Sequence, residues 1–395
     1  MKILHCSDLH LGRRPVGGVG EYSETRFSDY FSSFHHIADY AAENSIDTVI
    51  ISGDIFDRRE ITPDILERAE QVFIKLKDSG IETIIAEGNH DRGGSSDSTW
   101  LNYLVHRDLV KMPCVNIDDE NNFVFQPVES DGVHFYSMGY PGIYIEEMSR
   151  SLIEVLDKDK LNIVLVHTAI SSNDHFPGTV TPAVIDLFKE RVYYIAGGHF
   201  HSYHHYPADE PYFFVPGAPE YWDLAEGEEK YFIVFDTSSG LRENISTSRR
   251  KKTSLKHSFI SGSDSDFEAE FDQWLSALPV DKNSVVTCLF KIEESLYPDG
   301  AACEKKIESA GALKAKVSFV YKSTGVSADR SGEQIVTTES IESEKLITSG
   351  YSGDMALKIV NSYLPELKKT ETEGDNGGSG FDLFDRMIEE IIQGK

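Results

Sequence analysis

The stretch VYYIAGGHFHSYHHY, residues 192–206, runs a short apolar segment into two glycines and then into four histidines, at 199, 201, 204 and 205. A lone histidine in such a place is more often a packing or surface group than a ligand, and a short motif by itself is weak evidence. The same arrangement recurs upstream, however. Residues 2–5 lead into Ser7-Asp8-Leu9-His10, residues 48–51 into Gly53-Asp54-Ile55-Phe56-Asp57, residues 83–86 into Gly88-Asn89-His90-Asp91, and residues 163–166 into His167. Five times an apolar run ends in groups that offer oxygen or imidazole donors, and together these look like a metal site. Carboxylates, one amide and several histidines, without thiolates, suit manganese, iron or zinc better than calcium. In an extended segment alternate side chains share a face, so Asp8 and His10 would point together, as would His199 and His201. Glycines at 53, 88 and 198 would let the ligand loops approach one another.

Working outward, further strands are expected at 133–138, 212–215 and 231–235. Between the strands lie amphipathic helices, one carrying Phe31, Phe34, Ile37, Ala38 and Ala41, another Ile65, Leu66, Ala69, Val72, Phe73 and Leu76. Thr62-Pro63 and Thr181-Pro182 read as N-caps followed by a preset first helical position, and Gly80 as a helix stop. Such alternation favours an α/β layered core over residues 1–245 with ligand groups at the carboxyl ends of its strands. A basic, polar connector follows at 246–256. Residues 258–345 form a small α/β unit, with a helix carrying Phe267, Phe271, Trp274, Leu275 and Leu278, strands at 285–292 and 313–321, and a helix at 301–309. A short helical segment is expected at 350–369. TETEGDNGGSG, residues 370–380, is a flexible linker by composition. The segment 381–395 places Phe381, Phe384, Ile388 and Ile391 on one helical stripe. An apolar helix on a tether docks on its own chain or grips a partner, and the partner is the preferred reading.

Bulk properties narrow the class. At ~150 residues per domain, 395 residues suggest two or three units, and 40% hydrophobic with 11% aromatic residues is a globular composition. No apolar run approaches the ~20 residues that cross a bilayer. The opening MKILHC already reads as a buried strand, leaving no room for a leader of ~15 to 30 residues, so a cytoplasmic protein with no membrane association is expected. Four cysteines form no CxxC pair, which points to reduced, mostly buried thiols. With 38 basic against 66 acidic residues the formal charge is -28, an argument against coating nucleic acid through general basicity.

The series Asp-x-His, Gly-Asp-x-x-Asp, Gly-Asn-His-Asp, His and Gly-His-x-His resembles the calcineurin-like metallophosphoesterase superfamily over residues 1 to about 240. SDLHLG at 7–12, the array of Arg26, Asp29, Phe31 and Phe34, GDIFD, and VPGAPEYWDL at 215–224 resemble more closely the SbcD/Mre nuclease subunits of DNA double-strand-break repair. The resemblance implies a layered β-sandwich flanked by helices, a small α/β capping domain, and a tethered C-terminal helix that contacts an SbcC-type coiled-coil ATPase. It implies a two-metal centre, with manganese the first expectation, bridged by Asp54. One ion would take Asp8, His10 and His201, the other Asn89, His167 and His199. His90 would be the catalytic histidine, stabilising phosphate charge or protonating the leaving oxygen. Asp57 stands where many relatives carry a second histidine, and with Asp91, Arg13 and Arg14 it would support the ligands or the substrate. His204 and His205 match no ligand position, and His35, His36 and His175 read as surface or packing groups.

The function so implied is metal-dependent exo- or endonucleolytic hydrolysis at double-stranded DNA ends, by a homodimer using helices around 65–76 and 100–105. Two other readings stay open: a phosphodiesterase for a small nucleotide, and a scaffold for DNA ends with a vestigial site. The filled ligand positions weigh against the scaffold.

Overall fold

The structure is a computed structural model. It describes residues 1–322 except 16–18, 93–98, 172–177, 225, 227–228, 261–262 and 294. The expected segments at 350–369, 370–380 and 381–395, the remainder of the small unit to 345, and His175 lie outside the described residues.

Two sheets face each other. The first orders Arg242–Ser246, Tyr231–Asp236, Lys2–Cys6, Thr48–Ser52 and Glu82–Ala86; the second orders His204–Tyr206, Phe213–Val215, Tyr194–Gly197, Leu161–Val166, Val133–Gly139 and Val128–Ser130. Lys2–Cys6, Thr48–Ser52 and Glu82–Ala86 run parallel, as do Val133–Gly139, Leu161–Val166, Tyr194–Gly197 and Phe213–Val215. Antiparallel strands finish one edge of the first sheet and both edges of the second. Between the sheets lies an apolar layer that includes Ile3, Ile50, Ile84, Phe135, Ile163, Leu165 and Phe235. Truncating one of them, such as Phe135→Ala, would cost about 3–5 kcal/mol. Helices Gly20–Glu43, Pro63–Asp78 and Trp100–His106 cover the outer face of the first sheet. Helices Ile145–Val155 and Pro182–Asp186 cover that of the second. Each sheet is thus apolar on both faces, and the polar residues of its parallel strands are driven to the strand ends.

One polar chain crosses this layer. Tyr194 stacks between Phe214 and Phe235, with ring centroids 4.7 and 4.1 Å away. Its hydroxyl meets His5 Nδ1 at 2.9 Å, His5 Nε2 meets Ser52 Oγ at 2.8 Å, and Ser52 Oγ–H donates to the Gly197 carbonyl at 2.6 Å. Burial pushes His5 down to about 3, so it serves as a neutral link with one donor and one acceptor. The chain ties together three strands whose carboxyl ends carry the polar clusters.

Elsewhere the structure differs from the sequence reading. Pro63 and Pro182 do open helices, but neither preceding threonine caps with its side chain; the Thr62 hydroxyl donates to the Asp64 carboxylate. The connector holds a strand, Lys252–Ser258, pairing in parallel with Val285–Glu293, which pairs with Lys314–Lys322. Its seven residues alternate polar with apolar or small side chains too weakly to read as a strand in isolation. Helices Asp264–Ser276 and Gly300–Ser309 complete the small unit, and Phe259, Phe267, Phe271, Phe290 and Ile307 fill its own core. Cys6, Cys288 and Cys303 are buried thiols, whereas Cys114 is exposed. Among the described residues no helix is long and apolar enough to cross a membrane.

Candidate metal centre

The loops that carry the donors are not extended. Asp8, His10, Asp54 and His199 have φ of 54°, 45°, 52° and 78°, the left-handed region that costs a residue with a Cβ about 1–3 kcal/mol and persists where surrounding contacts enforce it. The expectation that alternate residues of an extended segment share a face is therefore corrected: Asp8 and His10 converge because the chain turns at each of them. The turns interlock. Asp8 N–H donates to Gly53 O at 3.1 Å, His10 N–H to Asp54 O at 3.0 Å, and Leu11 N–H to Ile55 O at 2.9 Å. Gly53 has φ of 93°, and a Cβ there would overlap the His167 ring, while one at Gly88 would overlap the Asp54 carboxylate. Asp91 is the bolt beneath, accepting N–H bonds from Ile55, Phe56 and Gly88 at 3.2, 3.0 and 3.0 Å. Burial, reinforced by the nearby Asp54 charge, pushes its carboxyl up to about 7.

All seven expected donors come together. His10 Nε2 lies 3.2 Å from His201 Nε2, and Asp8, His10 and His201 bring ligand atoms within 4.8 Å of one another. His167 Nε2 lies 3.2 Å from Asp54 Oδ2, 3.1 Å from Asn89 Oδ1 and 4.0 Å from Asp8 Oδ1. His199 Nδ1 is 3.2 Å from the same Asn89 oxygen. Asp54 stands centrally, with Oδ2 3.9 Å from His10 and 4.0 Å from His90. Asp8, His10, Asp54 and His167 are at most 2% exposed.

This donor set fits cations. His167 Nδ1 faces the Ser52 carbonyl at 2.8 Å, so its proton sits there and Nε2 turns a lone pair toward two oxygens that are themselves acceptors. Two imidazole nitrogens of His10 and His201 confront each other in the same way. Such lone-pair contacts are repulsive unless a proton or a cation lies among them. Electrostatics report the same demand. Burial alone would keep His167 neutral, but the Asp54 carboxylate, with Asp8, outweighs it and pushes His167 up to about 9. Burial likewise acts to raise Asp54, yet His167 and His10 hold it well below the usual carboxylate range. Asp8 is raised by burial, with His167 opposing. Burial also drives His10 well down.

Residues 1–203 match the calcineurin-like phosphoesterase family. The chain belongs to that family. Among curated proteins it is similar to the DNA double-strand break repair protein Mre11 of Aeropyrum pernix, 26% identical over 57% of this chain and 58% of that one. It is also similar to the protein of that name from Methanosarcina mazei, 26% identical over 82% of this chain and 51% of the relative. The chain thus spans about half the length of the curated relatives it matches. Among solved structures, TT1561 of Thermus thermophilus aligns with 62% of this chain and 98% of its own at 14% identity and a TM-score of 0.38.

Around the calcineurin-like donor set stand groups that the motifs announced only in part. His90 Nδ1 donates to the Asp57 carbonyl at 2.6 Å, which turns Nε2 toward the donors. The Asp57 carboxylate faces Arg13 at 3.4 Å, Arg58 at 3.5 Å and His10 Nδ1 at 4.0 Å. It thereby restrains a cation, Arg13, and lies beside the candidate donor His10. Arg13 lies 3.1 Å over the Trp222 ring. Arg14 turns away, pairing with Glu24 and lying over Phe27. His204 and His205 sit in the strand His204–Tyr206, half-buried and apart from the donors, and His35 and His36 are half-buried on the first helix.

The sequence reading missed Trp222 as a site residue. Its ring packs 4.3 Å from His10, 5.1 Å from His201 and 5.6 Å from His90 by centroids, walling the donors. The Arg26/Asp29 array explains how it is held. Arg26 donates to the Tyr221 carbonyl at 2.8 Å and meets Glu220 at 3.2 Å, while the Asp29 carboxylate accepts from Nε and Nη2 of Arg250, each at 2.6 Å. A cavity of about 420 Å³ opens over the donors, lined by Arg13, Asp57, Arg58, Arg59, His90 and Trp222. A neighbouring one of about 640 Å³ shares Arg13 and Trp222 and reaches Ser254, Thr287 and Lys316 of the small unit.

Proposed function

We propose that the chain is a two-metal-dependent DNA nuclease that hydrolyses phosphodiesters at double-stranded ends during break repair, with manganese as its metal. The observation that carries this reading is the convergence of seven donors from five separate strand ends on one buried point, with a histidine at its mouth. When bound, a pair of divalent ions supplies Lewis-acid polarisation of a phosphoryl oxygen and a nucleophile from water at neutral pH. Asp8, His10, His201 and Asp54 would hold one ion, and Asn89, His167, His199 and Asp54 the other. The protein's own part is orientation and proton handling. His90, fixed by the Asp57 carbonyl, presents Nε2 to the opening, where in its protonated form it donates to a phosphate oxygen or to the leaving oxygen. Arg13, Arg58 and Arg59 line the approach and would attract a polyanion despite the net acidity of the chain, because local field and total charge are separate quantities.

The relatives named for break repair favour DNA over a small nucleotide, and so does the second cavity, which runs from Arg13 and Trp222 to Lys316. A coiled-coil ATPase partner gripped by residues 381–395, a capping role for the small unit, and a homodimer through the helices around 65–76 and 100–105 belong to the same proposal. The test is manganese-dependent cleavage of linear duplex DNA and of bis-p-nitrophenyl phosphate by the wild type. Cleavage of both is expected. Hydrolysis of the small diester with no cleavage of any duplex, with or without the ATPase, would overturn the DNA assignment; hydrolysis of neither would overturn the enzyme.

A further inference from the structure

Glu226 belongs to none of the motifs, yet it ties the loop of one donor, His201, to the turn that carries Trp222. Its Oε1 accepts N–H bonds from Trp222 at 3.2 Å and Asp223 at 3.1 Å, and lies 3.4 Å from His201 Nδ1. Lys230, its side chain 3% exposed, gives its ammonium to Glu226 Oε2 and, at 2.7 Å, to the His201 carbonyl. Lys252, the first residue of the small unit's first strand, donates to the Glu226 carbonyl. We propose that Glu226 is a positioning residue for one of the two metal ions, holding His201 by Nδ1 so that Nε2 faces Asp8 and His10. The inference rests on the two-metal reading above.

The physical reason is tautomeric. A histidine that binds a metal through Nε2 must keep its proton on Nδ1, and whatever accepts that proton sets both tautomer and ring angle. His167 has the Ser52 carbonyl for this purpose at 2.8 Å, inside a fully buried frame. His201 has 22% of its side chain exposed, and Glu226 is the group behind its ring. A carboxylate in that place also increases electron density at Nε2, and Lys230 fixes the carboxylate in turn. Losing Glu226 would release the Trp222 loop as well, since two of its N–H groups end on the same oxygen. His167 is therefore backed by a backbone carbonyl and His201 by an ion-paired side chain.

Manganese binding by calorimetry, on the full chain stripped with EDTA, tests this without recourse to turnover. Two sites are expected in the wild type. In Glu226→Ala one site should weaken by about 10- to 100-fold while the other keeps its affinity. Glu226→Gln retains an oxygen that can accept from Nδ1–H, Trp222 and Asp223, and should recover most of the loss. If the alanine variant does not fold, Glu226→Asp, whose carboxylate is drawn back by one methylene, should show the same one-sided weakening. Two sites of wild-type affinity in the Ala or Asp variant would overturn the proposal, as would equal weakening of both. A wild type that binds no manganese would instead overturn the two-metal reading itself.

Discussion

The core and the small unit that begins at Lys252 are both built from parallel strands with helices packed on them, yet they treat charge in opposite ways. At the carboxyl ends of the core strands Asp8, His10, Asp54, Asp57, Asp91 and His167 are all at most 6% exposed. In the small unit, among its described residues, Lys252 and Ser284 are the buried polar side chains, and the ends of its strands carry nothing comparable. Burying several ionisable groups together is costly unless each is paired or neutralised, so a fold retains them only where something is gained. The same layered architecture can thus be a catalytic frame or a plain surface. What separates the two is the chemistry at the strand ends.

The sharpest way to break this contrast is to remove the carboxylate at the centre of the buried cluster. Asp54→Asn should lower hydrolysis of bis-p-nitrophenyl phosphate by about 10³-fold or more, a barrier increase of ~4 kcal/mol, and should lower manganese stoichiometry with it. Substantial residual activity would mean that the cluster is structural. His90→Gln comes next, with an expected loss of about 10²- to 10³-fold. Here manganese stoichiometry should stay unchanged, because His90 stands 4.0 Å from Asp54 at the mouth and is held by a backbone carbonyl. Loss of metal in this variant would make His90 a ligand and undo the division of roles.

How much of this the sequence disclosed follows the same contrast. The eight core strands expected from apolar runs are all present, because strands buried on both faces are written as short continuous hydrophobic runs. Short strands such as Cys114–Ile117, Val128–Ser130 and Arg242–Ser246, partly to largely exposed and mixed in composition, left no such mark. The donors were legible because Asp, Asn and His directly after such runs, beside glycine, have few other uses. Their left-handed backbone was not, since it arises from loops bonded to one another across forty or more positions. Trp222 and Glu226 were invisible for a related reason. Their roles depend on a loop placed by Arg26 from a distant part of the chain and tied by the nearby Lys230, and a tryptophan or glutamate in a polar loop carries no periodic signature.

Stability against pH in metal-free protein sharpens the contrast further. The folded value of His167, about 9, lies above its ordinary 6.5, so its contribution is complete below pH 6.5 and is lost as pH rises through 9. The expected loss is on the order of 3 kcal/mol. Asp54 acts in the opposite sense: its carboxyl is held low, so its contribution is present above the unfolded value near 3.9 and is lost as pH falls below it. In EDTA the melting temperature should therefore decline between pH 6.5 and 9, and saturating manganese should flatten the decline by taking the place of the proton. A metal-free melting temperature that is flat across this window would remove the argument that the carboxylates demand positive charge.

The smallest expected effect falls on the small unit. Its sheet turns Ser254, Thr287, Lys316 and Ser318 toward the larger cavity, and the Lys316 side chain is 63% exposed with Glu304 at 4.0 Å, a distance at which an exposed pair contributes little. If this face meets nucleic acid, it does so by charge and not by chemistry. Lys316→Ala should then leave hydrolysis of bis-p-nitrophenyl phosphate unchanged while weakening duplex binding by up to about tenfold at low salt. It should also reduce the slope of log affinity against log salt by about 1. An unchanged slope would place the DNA elsewhere. A fall in small-diester hydrolysis would be the more instructive result, because it would carry the influence of the small unit through Lys252 and Glu226 to the metal ligands, and the two regions would no longer be separable.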